Sequence, residues 1–309
     1  MTPQSPSEGI SHDERKFDGA LTIDLEDWRC ALDPKPNADY RNRPAIDVGY
    51  VRDATIRILS KLDDYEAKAT FFVLGEVAEA VPEVVREIAR KGHEIASHSP
   101  VHLPPKMIPR TKFATLFWRD LDLLHDLSGK RPIGFRVPYF SISRSDGWLL
   151  DLLAGSGLHY DSSIVPTWTP YWGIPSAPKH PYFPDFSDLA RKKEAGNIVE
   201  IPVTVWPSWE GLMGLPVGGG FYMRAWPTPI LMGALRRNVR SGHPLVIYIH
   251  PGNLQQRKER VSSPTVRDRL SQYALAGRGM STFARLLQEF RFGSISDVFS
   301  HELRRLRRS

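Results

Sequence analysis

Short runs of apolar residues alternate along the chain with longer segments in which apolar residues recur every three or four positions. The short runs have the length of strands buried on both faces, and the longer segments have the spacing of amphipathic helices. Strands are predicted at residues 20–23, 69–74, 93–97, 133–136, 158–161, 198–205 and 245–249. Helices are predicted at residues 48–62, 83–91, 111–127, 148–155, 229–239, 266–274 and 280–290. The alternation predicts an α/β fold in which right-handed crossovers join parallel strands.

The composition is that of a folded domain with less ordered ends. Hydrophobic residues make up 41% and charged residues 25% of the 309 residues, close to the average for globular proteins. We expect a disordered lead at residues 1–18, a single domain at residues 19–300 and a basic tail at residues 301–309. Residues 164–190 are rich in Pro, Trp and Tyr and predict a long ordered loop, which in compact domains is often a binding loop.

Charge and cysteine content exclude several classes of protein. The net charge of +6 is a mild excess without a nucleic-acid-binding motif, so no nucleic-acid partner is expected. A single cysteine, Cys30, excludes an internal disulfide framework. No apolar stretch approaches the length of a membrane span, and the polar amino terminus lacks the apolar core of a secretory signal. We therefore expect a cytoplasmic protein, while the sequence leaves its oligomeric state open.

Charged and imidazole side chains lie at the ends of several predicted strands. These residues are Asp24, Glu26, Asp27, His98, His102, Arg136, Asp161 and His250. Because the carboxyl ends of parallel strands meet at one edge of a sheet or barrel, we expect these side chains to lie close together. Their position is the first indication of a functional site.

Two of these groups have the chemistry of metal ligands. His98 and His102 are four residues apart, and Pro100 between them favours a loop or first turn that presents both rings to one ion. The three carboxylates at positions 24, 26 and 27 would repel one another unless a cation neutralises them. One carboxylate and two imidazoles suit zinc first, with cobalt, nickel or manganese as alternatives. Three protein ligands leave a coordination position for water, as in catalytic zinc sites.

Two further residues have both a functional and a structural interpretation. Arg136, at the end of a predicted strand, could hold a carboxylate by paired hydrogen bonds, or it could be a surface arginine in a proline turn. His250 follows the strand at residues 245–249 and could be catalytic or structural. The residue patterns alone leave both alternatives open.

In their order along the chain, these residues resemble the motifs of the polysaccharide deacetylase family (carbohydrate esterase family four), which includes chitin and peptidoglycan deacetylases. The matching segments are residues 22–28 (TIDLEDW), 92–102 (GHEIASHSPVH), 136–139 (RVPY) and His250. The resemblance implies a distorted (β/α) barrel of about seven parallel strands, with the active site at the carboxyl ends of the strands. It also implies a divalent metal cofactor and an N-acetylated carbohydrate substrate.

The first motif departs from the family pattern, which usually has two adjacent aspartates. Here Asp24 and Asp27 are separated by two residues, one of which is Glu26. This variant resembles a subgroup found in bacterial exopolysaccharide clusters. The chain also resembles that subgroup at residues 160–163 (YDSS), 218–222 (GGGFY) and 248–251 (YIHP). The resemblance makes Asp24 the catalytic base and either Asp27 or Glu26 the metal ligand, with a slight preference for Asp27.

The resemblance further implies a hydrolytic mechanism with a role for each site residue. The acetyl carbonyl is polarised by the metal, Asp24 takes a proton from the attacking water, and Arg136 aligns Asp24. The backbone N–H of Tyr139 stabilises the oxyanion, and His250 protonates the departing amine, with Asp161 favouring the protonated ring. Substrate contacts are expected at Pro138, Tyr139, Gly219, Gly220 and Phe221.

The sequence leaves two other functions open. Members of the same superfamily open cyclic amides or ureides such as allantoin, and a short acidic first motif also occurs among them. A catalytically inactive glycan-binding protein is the second alternative. The complete third and last motifs favour a sugar deacetylase over the ureide enzymes, and the full set of expected ligands and acid–base groups argues against an inactive protein.

Overall fold

The computed structural model of the chain describes residues 16–31, 45–169, 172–209, 211–254 and 276–306. Its strands are β1 (Gly19–Leu25), β2 (Thr70–Val73), β3 (Glu94–Ser97), β4 (Gly134–Phe135), β5 (Tyr160–Asp161), β6 (Phe183–Asp185), β7 (Asp188–Lys193), β8 (Val199–Glu200), β9 (Val205–Trp206), β10 (Leu215–Pro216), β11 (Leu245–Ile249) and β12 (Phe292–Gly293). Its α-helices are α1 (Val48–Asp64), α2 (Gly75–Ala80), α3 (Pro82–Arg90), α4 (Arg110–Ser128), α5 (Gly147–Gly155), α6 (Gly220–Ala225), α7 (Thr228–Arg240), α8 (Gly279–Glu289), α9 (Ile295–Val298) and α10 (Ser300–Arg305).

A curled, half-barrel sheet of parallel strands forms the centre of the fold. Its seven main strands lie in the order β11, β1, β2, β3, β4, β5, β8, and each neighbouring pair is parallel. The short strand β12 also pairs in parallel with β1. This architecture confirms the predicted α/β fold with a distorted barrel of about seven parallel strands.

The central strands β1 and β2 are buried along their whole length. Strands that are covered on both faces are expected to be continuous apolar runs rather than alternating ones, which is the pattern seen in the sequence. Ile23 of β1 lies opposite Phe71 on one side and Ile249 on the other. Parallel pairing in this register brings the carboxyl ends of β1, β3 and β11 to the same edge of the sheet, so the residues that follow these strands can meet.

A separate apolar core fixes the part of the sheet that leads to Arg136. It is formed largely by α4, α5 and β4, and its aromatic side chains include Phe113, Phe117 and Phe135. The rings of Phe117 and Phe135 meet edge to face with their centroids 5.5 Å apart. Because Phe135 directly precedes Arg136, this core determines where the arginine enters the site.

Two predicted elements differ from the structure. The strand expected at residues 198–205 is divided: β8 belongs to the main sheet, whereas β9 pairs antiparallel with β10 in a separate hairpin. Pro202 lies between the two parts and has no backbone N–H, so the regular ladder with β5 ends before it, while the backbone N–H of Thr204 donates to the carbonyl of Val246 on β11. The long loop expected at residues 164–190 contains the beginning of a second hairpin, formed by β6 and β7.

Parts of the predicted ends lie outside the described residues. This applies to positions 1–15 of the expected lead, to positions 307–309 of the basic tail and to the helix expected at residues 266–274. Asp18, by contrast, is buried and accepts a hydrogen bond from the backbone N–H of Arg291 at 2.8 Å. The single domain at residues 19–300 stays a prediction. None of the described helices combines the length and the apolar character that a membrane crossing requires.

The core beneath β4 gives a test of the fold. Phe117→Ala is expected to lower the free energy of unfolding by about 3–5 kcal/mol, because it leaves a cavity against Phe135. Trp118→Ala on the same helix is the matched control: Trp118 is 39% exposed, so its loss is expected to cost less than about 1 kcal/mol. Urea unfolding followed by circular dichroism measures both. Equal losses for the two variants would contradict the placement of α4.

Candidate metal centre and active site

The turn after β3 positions His98 and His102. The Oγ of Ser97 donates a 2.6 Å hydrogen bond to Asp120 and accepts one from the backbone N–H of Ser99, whose φ is 79°. This left-handed residue turns the chain sharply after His98. The two imidazole rings then face the same space, with centroids 5.6 Å apart, and both side chains are buried.

The tautomer of His98 follows from its surroundings. Its Nδ1 lies 2.9 Å from the backbone carbonyl of Arg136. Because a carbonyl oxygen only accepts, Nδ1 carries the hydrogen, and Nε2 offers its lone pair to the opposite side. A metal-ligating histidine typically has this arrangement, with one nitrogen anchored to the protein and the other directed at the ion.

Glu26 provides the third donor of the cluster. Its Oε2 lies 2.5 Å from Nε2 of His102 and 3.7 Å from Nε2 of His98. The three potential ligand atoms lie within 4.8 Å of one another, and all three residues are buried. Oε2 has no hydrogen bond of acceptable geometry in spite of these close contacts. A buried carboxylate oxygen and two ring nitrogens that converge in this way fit the requirements of a divalent cation, for which they form a zinc-type donor set.

The charges of this cluster are strongly linked. Burial alone would raise the pKa of Glu26, but the neighbouring rings of His102 and His250 hold it well below its ordinary value. Burial would lower the pKa of His98, yet the Glu26 and Asp24 carboxylates raise it overall. Glu26 and His98 therefore stabilise each other's charged forms, and a cation would compete with protons for the same lone pairs.

Asp27 lies outside this cluster, contrary to the slight preference for it as the metal ligand. Its Oδ2 accepts hydrogen bonds from the guanidinium of Arg29 at 2.7 Å and from the backbone N–H of Asp47 at 2.8 Å. Side chains in an extended segment point to the same side at every second residue, so Glu26 shares the side of Asp24 and Asp27 does not. The geometry therefore favours Glu26 over Asp27.

Arg136 holds Asp24 in place at the centre of the site. One Nη of the fully buried guanidinium donates 2.7 Å hydrogen bonds to Oδ1 of Asp24 and to Oγ1 of Thr22. The other donor groups bond to the carbonyl and hydroxyl oxygens of Ser162, and the ring of Phe72 lies 4.1 Å from the guanidinium carbon. The alternative that Arg136 is a surface arginine in a proline turn is thus wrong. The expected contact between Arg136 and Asp24 is present.

His250 lies at the open side of the cluster. Its side chain is 30% exposed, whereas the side chains of Asp24 and Glu26 are buried. Nε2 lies 3.7 Å from Oδ2 of Asp24 and 3.5 Å from Oε1 of Glu26. On the other edge of the ring, Oδ1 of Asn253 is 3.2 Å from Nδ1 and accepts the backbone N–H of His250 at 2.8 Å. Asn253 therefore directs Nε2 at the two acids.

Among the described residues Asp161 forms no ion pair with His250, so the sequence prediction of a contact between them is corrected. The acids that approach His250 in the described part of the chain are Asp24 and Glu26. Asp161 is fully buried beside Glu200, its partner in the parallel register of β5 and β8. Its Oδ1 accepts a 2.5 Å hydrogen bond from Ser163, and Glu200 accepts one from the backbone N–H of Ile164.

The Asp161–Glu200 pair is kept partly protonated by its surroundings. Burial raises the pKa of Asp161, and burial together with the adjacent Asp161 raises the pKa of Glu200 well above its ordinary value. Two adjacent buried carboxyls cannot both ionise without strong repulsion, so they hold at least one proton between them over a wide pH range. The pair supports the site indirectly, because the Oγ of Ser163 also accepts the backbone N–H of Val137.

The expected substrate-contact residues are divided between two locations. Tyr139 has a φ of 59°, and its ring lies 4.3 Å from that of His102; Pro138 begins the same short turn. Gly220 begins α6, and Phe221 on this helix is 37% exposed. Contact of any of these residues with a substrate stays a prediction.

Packing explains two glycines of the Gly-rich segment. A Cβ on Gly219 would lie 2.4 Å from the hydroxyl oxygen of Tyr248, and one on Gly220 would lie 1.9 Å from Oδ1 of Asn253. These glycines therefore let α6 approach β11 and the residue that orients His250.

Several supporting residues were missed in the sequence analysis. They are Thr22, Asp120, Ser162, Glu200 and Asn253. Glu200 could have been found, because it is an acid inside the apolar run at residues 198–205, and a buried acid needs a partner. Thr22 lies inside a buried strand and gives no local signal of its role, which depends on the distant Arg136.

Comparison with known proteins agrees with this site. Residues 45–151 match the family model for polysaccharide deacetylase, and residues 162–300 match a domain of unknown function (DUF3473). The peptidoglycan-N-acetylglucosamine deacetylase of Bacillus cereus is 35% identical over 97 residues, which cover 31% of this chain and 35% of that protein. The chain therefore matches only about a third of that relative's length.

Solved structures share the fold. A protein from Mycobacterium smegmatis, described as a putative polysaccharide deacetylase, aligns over 96% of this chain and 94% of that protein's chain. The TM-score is 0.57 and the sequence identity is 20%. Puue allantoinase aligns over 97% of both chains, with a TM-score of 0.56 and 15% identity. At these identities, the likeness establishes the fold alone. The segment that matches the polysaccharide deacetylase model, residues 45–151, includes His98, His102 and Arg136.

Proposed function

We propose that this protein is a metal-dependent hydrolase that removes the acetyl group from an N-acetylated sugar. The observation that carries the proposal is the convergence of Glu26, His98 and His102 beside the buried Asp24–Arg136 pair. The family match supports deacetylation as the reaction. The resemblance to the exopolysaccharide subgroup makes a polysaccharide precursor the substrate class to test, and the cytoplasmic location stays a prediction.

Glu26, His98 and His102 would hold the divalent ion, with zinc first and cobalt, nickel or manganese as alternatives. When bound, the ion supplies a Lewis acid for the acetyl carbonyl and lowers the pKa of a coordinated water to about 7. The burial of all three side chains keeps bulk water away from the ligands. Low local polarity strengthens every charge interaction in the site.

Asp24 is the proposed general base. Arg136 donates a hydrogen bond to Oδ1 of Asp24, while Oδ2 of Asp24 faces His250 on the open side of the cluster. The arginine thus fixes the carboxylate so that one oxygen is directed at the space where a water would be activated. A base held in this way needs no side-chain rearrangement to take up a proton.

His250 and Tyr139 are proposed to act on the other side of the scissile bond. His250 is the general acid that protonates the leaving amine, because it is partly exposed and Asn253 orients its Nε2. His250 faces the carboxylates of Asp24 and Glu26, which take the place beside it that was first expected of Asp161. The backbone N–H of Tyr139, in a turn with positive φ, is proposed to donate to the developing oxyanion.

Asp161 is proposed to be a positioning residue that acts together with Glu200. The hydroxyl of Ser163 donates a hydrogen bond to Asp161, and the backbone N–H of Ile164 donates one to Glu200. Ser163 holds the backbone of Val137, and its neighbour Ser162 holds the guanidinium of Arg136. The orientation of Arg136 therefore depends on this pair.

Metal binding distinguishes the two candidate carboxylate ligands. Glu26→Gln is expected to weaken zinc binding by at least about 100-fold, whereas Asp27→Asn is expected to change it by less than about three-fold. Competition with a chromogenic chelator, on protein first stripped of metal, measures both affinities. Selective loss of zinc binding in the Asp27 variant would contradict the assignment.

The reaction can be tested on chitooligosaccharides. Asp24→Asn is expected to lower kcat for acetate release by about 10²–10⁴-fold, because it removes the proton acceptor. Its zinc content is expected to stay unchanged. Asp53→Asn, an exposed acid on α1, is the control and should keep wild-type activity. Hydrolysis of allantoin by the wild-type protein, without acetate release from any N-acetylated glycan, would instead favour the ureide reaction.

The protonated carboxyl pair predicts a pH dependence of stability. Because the folded-state pKa of Glu200 is raised, the native state binds more protons than the unfolded state above the ordinary carboxyl range, and stability falls as pH rises. Glu200→Gln should remove this contribution, making the fall between about pH 5 and about pH 8 smaller by roughly 1–3 kcal/mol. Urea unfolding across pH measures it. Glu194→Gln, an exposed acid, serves as control; an identical slope in the wild type and in both variants would rule out the shared proton.

A further inference from the structure

Exposed apolar side chains cluster on one part of the surface. Ten large apolar side chains are exposed among the described residues. Half of them lie in two segments that are distant in sequence and adjoin in space. They are Trp168, Trp209, Leu212, Met213 and Leu215, and we call this set the apolar rim. Single exposed apolar residues are common, but a contiguous group of this size normally marks an interaction site.

The backbone of the β9–β10 hairpin explains why these side chains point outward. The buried ammonium of Lys179 donates hydrogen bonds to the carbonyl oxygens of Pro207, Trp209 and Leu212, at 3.0, 2.8 and 2.6 Å. The hairpin loop therefore wraps around a cation with its carbonyls inward, which leaves the side chains of Leu212 and Met213, 53% and 66% exposed, on its outer surface.

The second segment of the rim lies against this hairpin. The hydroxyl of Thr167 donates a hydrogen bond to the carbonyl of Gly214, which brings the 66% exposed Trp168 beside the loop. The two segments are thus parts of one surface, held together by buried polar contacts instead of by the rim side chains themselves. The most exposed rim side chains, Trp168, Leu212 and Met213, therefore present apolar area to a partner.

The rim borders the candidate active site. Val165 and Val205, at the bases of its two segments, pack in one small core with Phe140 and Tyr248. Phe140 directly follows Tyr139, and the ring of Tyr248 lies 5.6 Å from that of His250. A partner bound to the rim would therefore lie beside the opening of the site.

Cationic side chains flank the rim. The guanidinium of the exposed Arg237 lies 5.9 Å from the ring of Trp209. The ammonium of the exposed Lys106 lies 4.4 Å from the ring of Trp172, which packs on the same small core. These two cations beside tryptophan rings make this edge complementary to an anionic surface.

We propose that the apolar rim is a docking surface for a lipid bilayer that contains anionic headgroups. Tryptophan side chains favour the headgroup region, aliphatic side chains insert just below it, and arginine and lysine bind lipid phosphates. The two tryptophans alone would also suit stacking on a glycan. The exposed Leu212 and Met213 offer neither an aromatic face nor a hydrogen-bonding group to a sugar. Their presence therefore favours a lipid bilayer over a glycan as the partner.

The test is co-sedimentation of the full-length protein with phosphatidylcholine vesicles, with and without about a third of phosphatidylglycerol. We expect binding to the anionic vesicles that weakens as salt is raised. The double variant Leu212→Asn/Met213→Asn should lower the partition coefficient by about ten-fold or more, because both inserted side chains become polar. Arg237→Gln should lower binding to the anionic vesicles selectively.

Ile56→Asn provides the matched control, since Ile56 is 57% exposed on α1, outside the rim. It should bind vesicles like the wild type, and the thermal unfolding of all variants should coincide. The proposal is overturned if the wild-type protein binds neither vesicle, or if the double variant binds as the wild type does. Quenching of tryptophan fluorescence by chitooligosaccharides without any vesicle binding would overturn it in favour of a glycan platform.

Discussion

The buried guanidinium of Arg136 is the interaction on which the candidate site depends. Its hydrogen-bond acceptors come from two distant parts of the chain, Thr22 and Asp24 on β1 and Ser162 after β5. Removing one partner of such a buried pair typically costs about 3–5 kcal/mol, because an uncompensated charge remains in the interior. Each acceptor must therefore keep its position, and the ion pair ties the two halves of the sheet into one geometry.

The fold could be predicted well from the sequence wherever burial acts on both faces of a strand. β1, β2 and β11 are continuous apolar runs, and their parallel order follows from the helices between them. The prediction failed at residues 198–205, where apolar character continues through Pro202 but the hydrogen-bond ladder does not. Apolar patterning reports burial, whereas strand pairing also needs a free backbone N–H at each position.

The residues of the site could be predicted better than their partners. Strand ends and the spacing of His98 and His102 indicated which side chains meet. The choice of Glu26 over Asp27 as the metal ligand could also have been predicted, because the two-residue period of an extended chain places Glu26 on the side of Asp24. That His250 pairs with Asp24 and Glu26 and not with Asp161 could not be predicted, since it depends on the curvature of the sheet between β5 and β11.

The five acids of this region differ in what neutralises them, and this difference explains where a metal ion would bind. Asp24 and Asp27 each have an arginine within 2.7 Å. Asp161 and Glu200 are buried together and hold a proton, so they do not compete with Asp24 for Arg136. Glu26 is approached by imidazoles, whose nitrogens are ligands as well as potential cations. It is therefore the acid of this group whose charge is best satisfied by a divalent ion, because arginines pair with Asp24 and Asp27 and a shared proton lowers the charge of the Asp161–Glu200 pair.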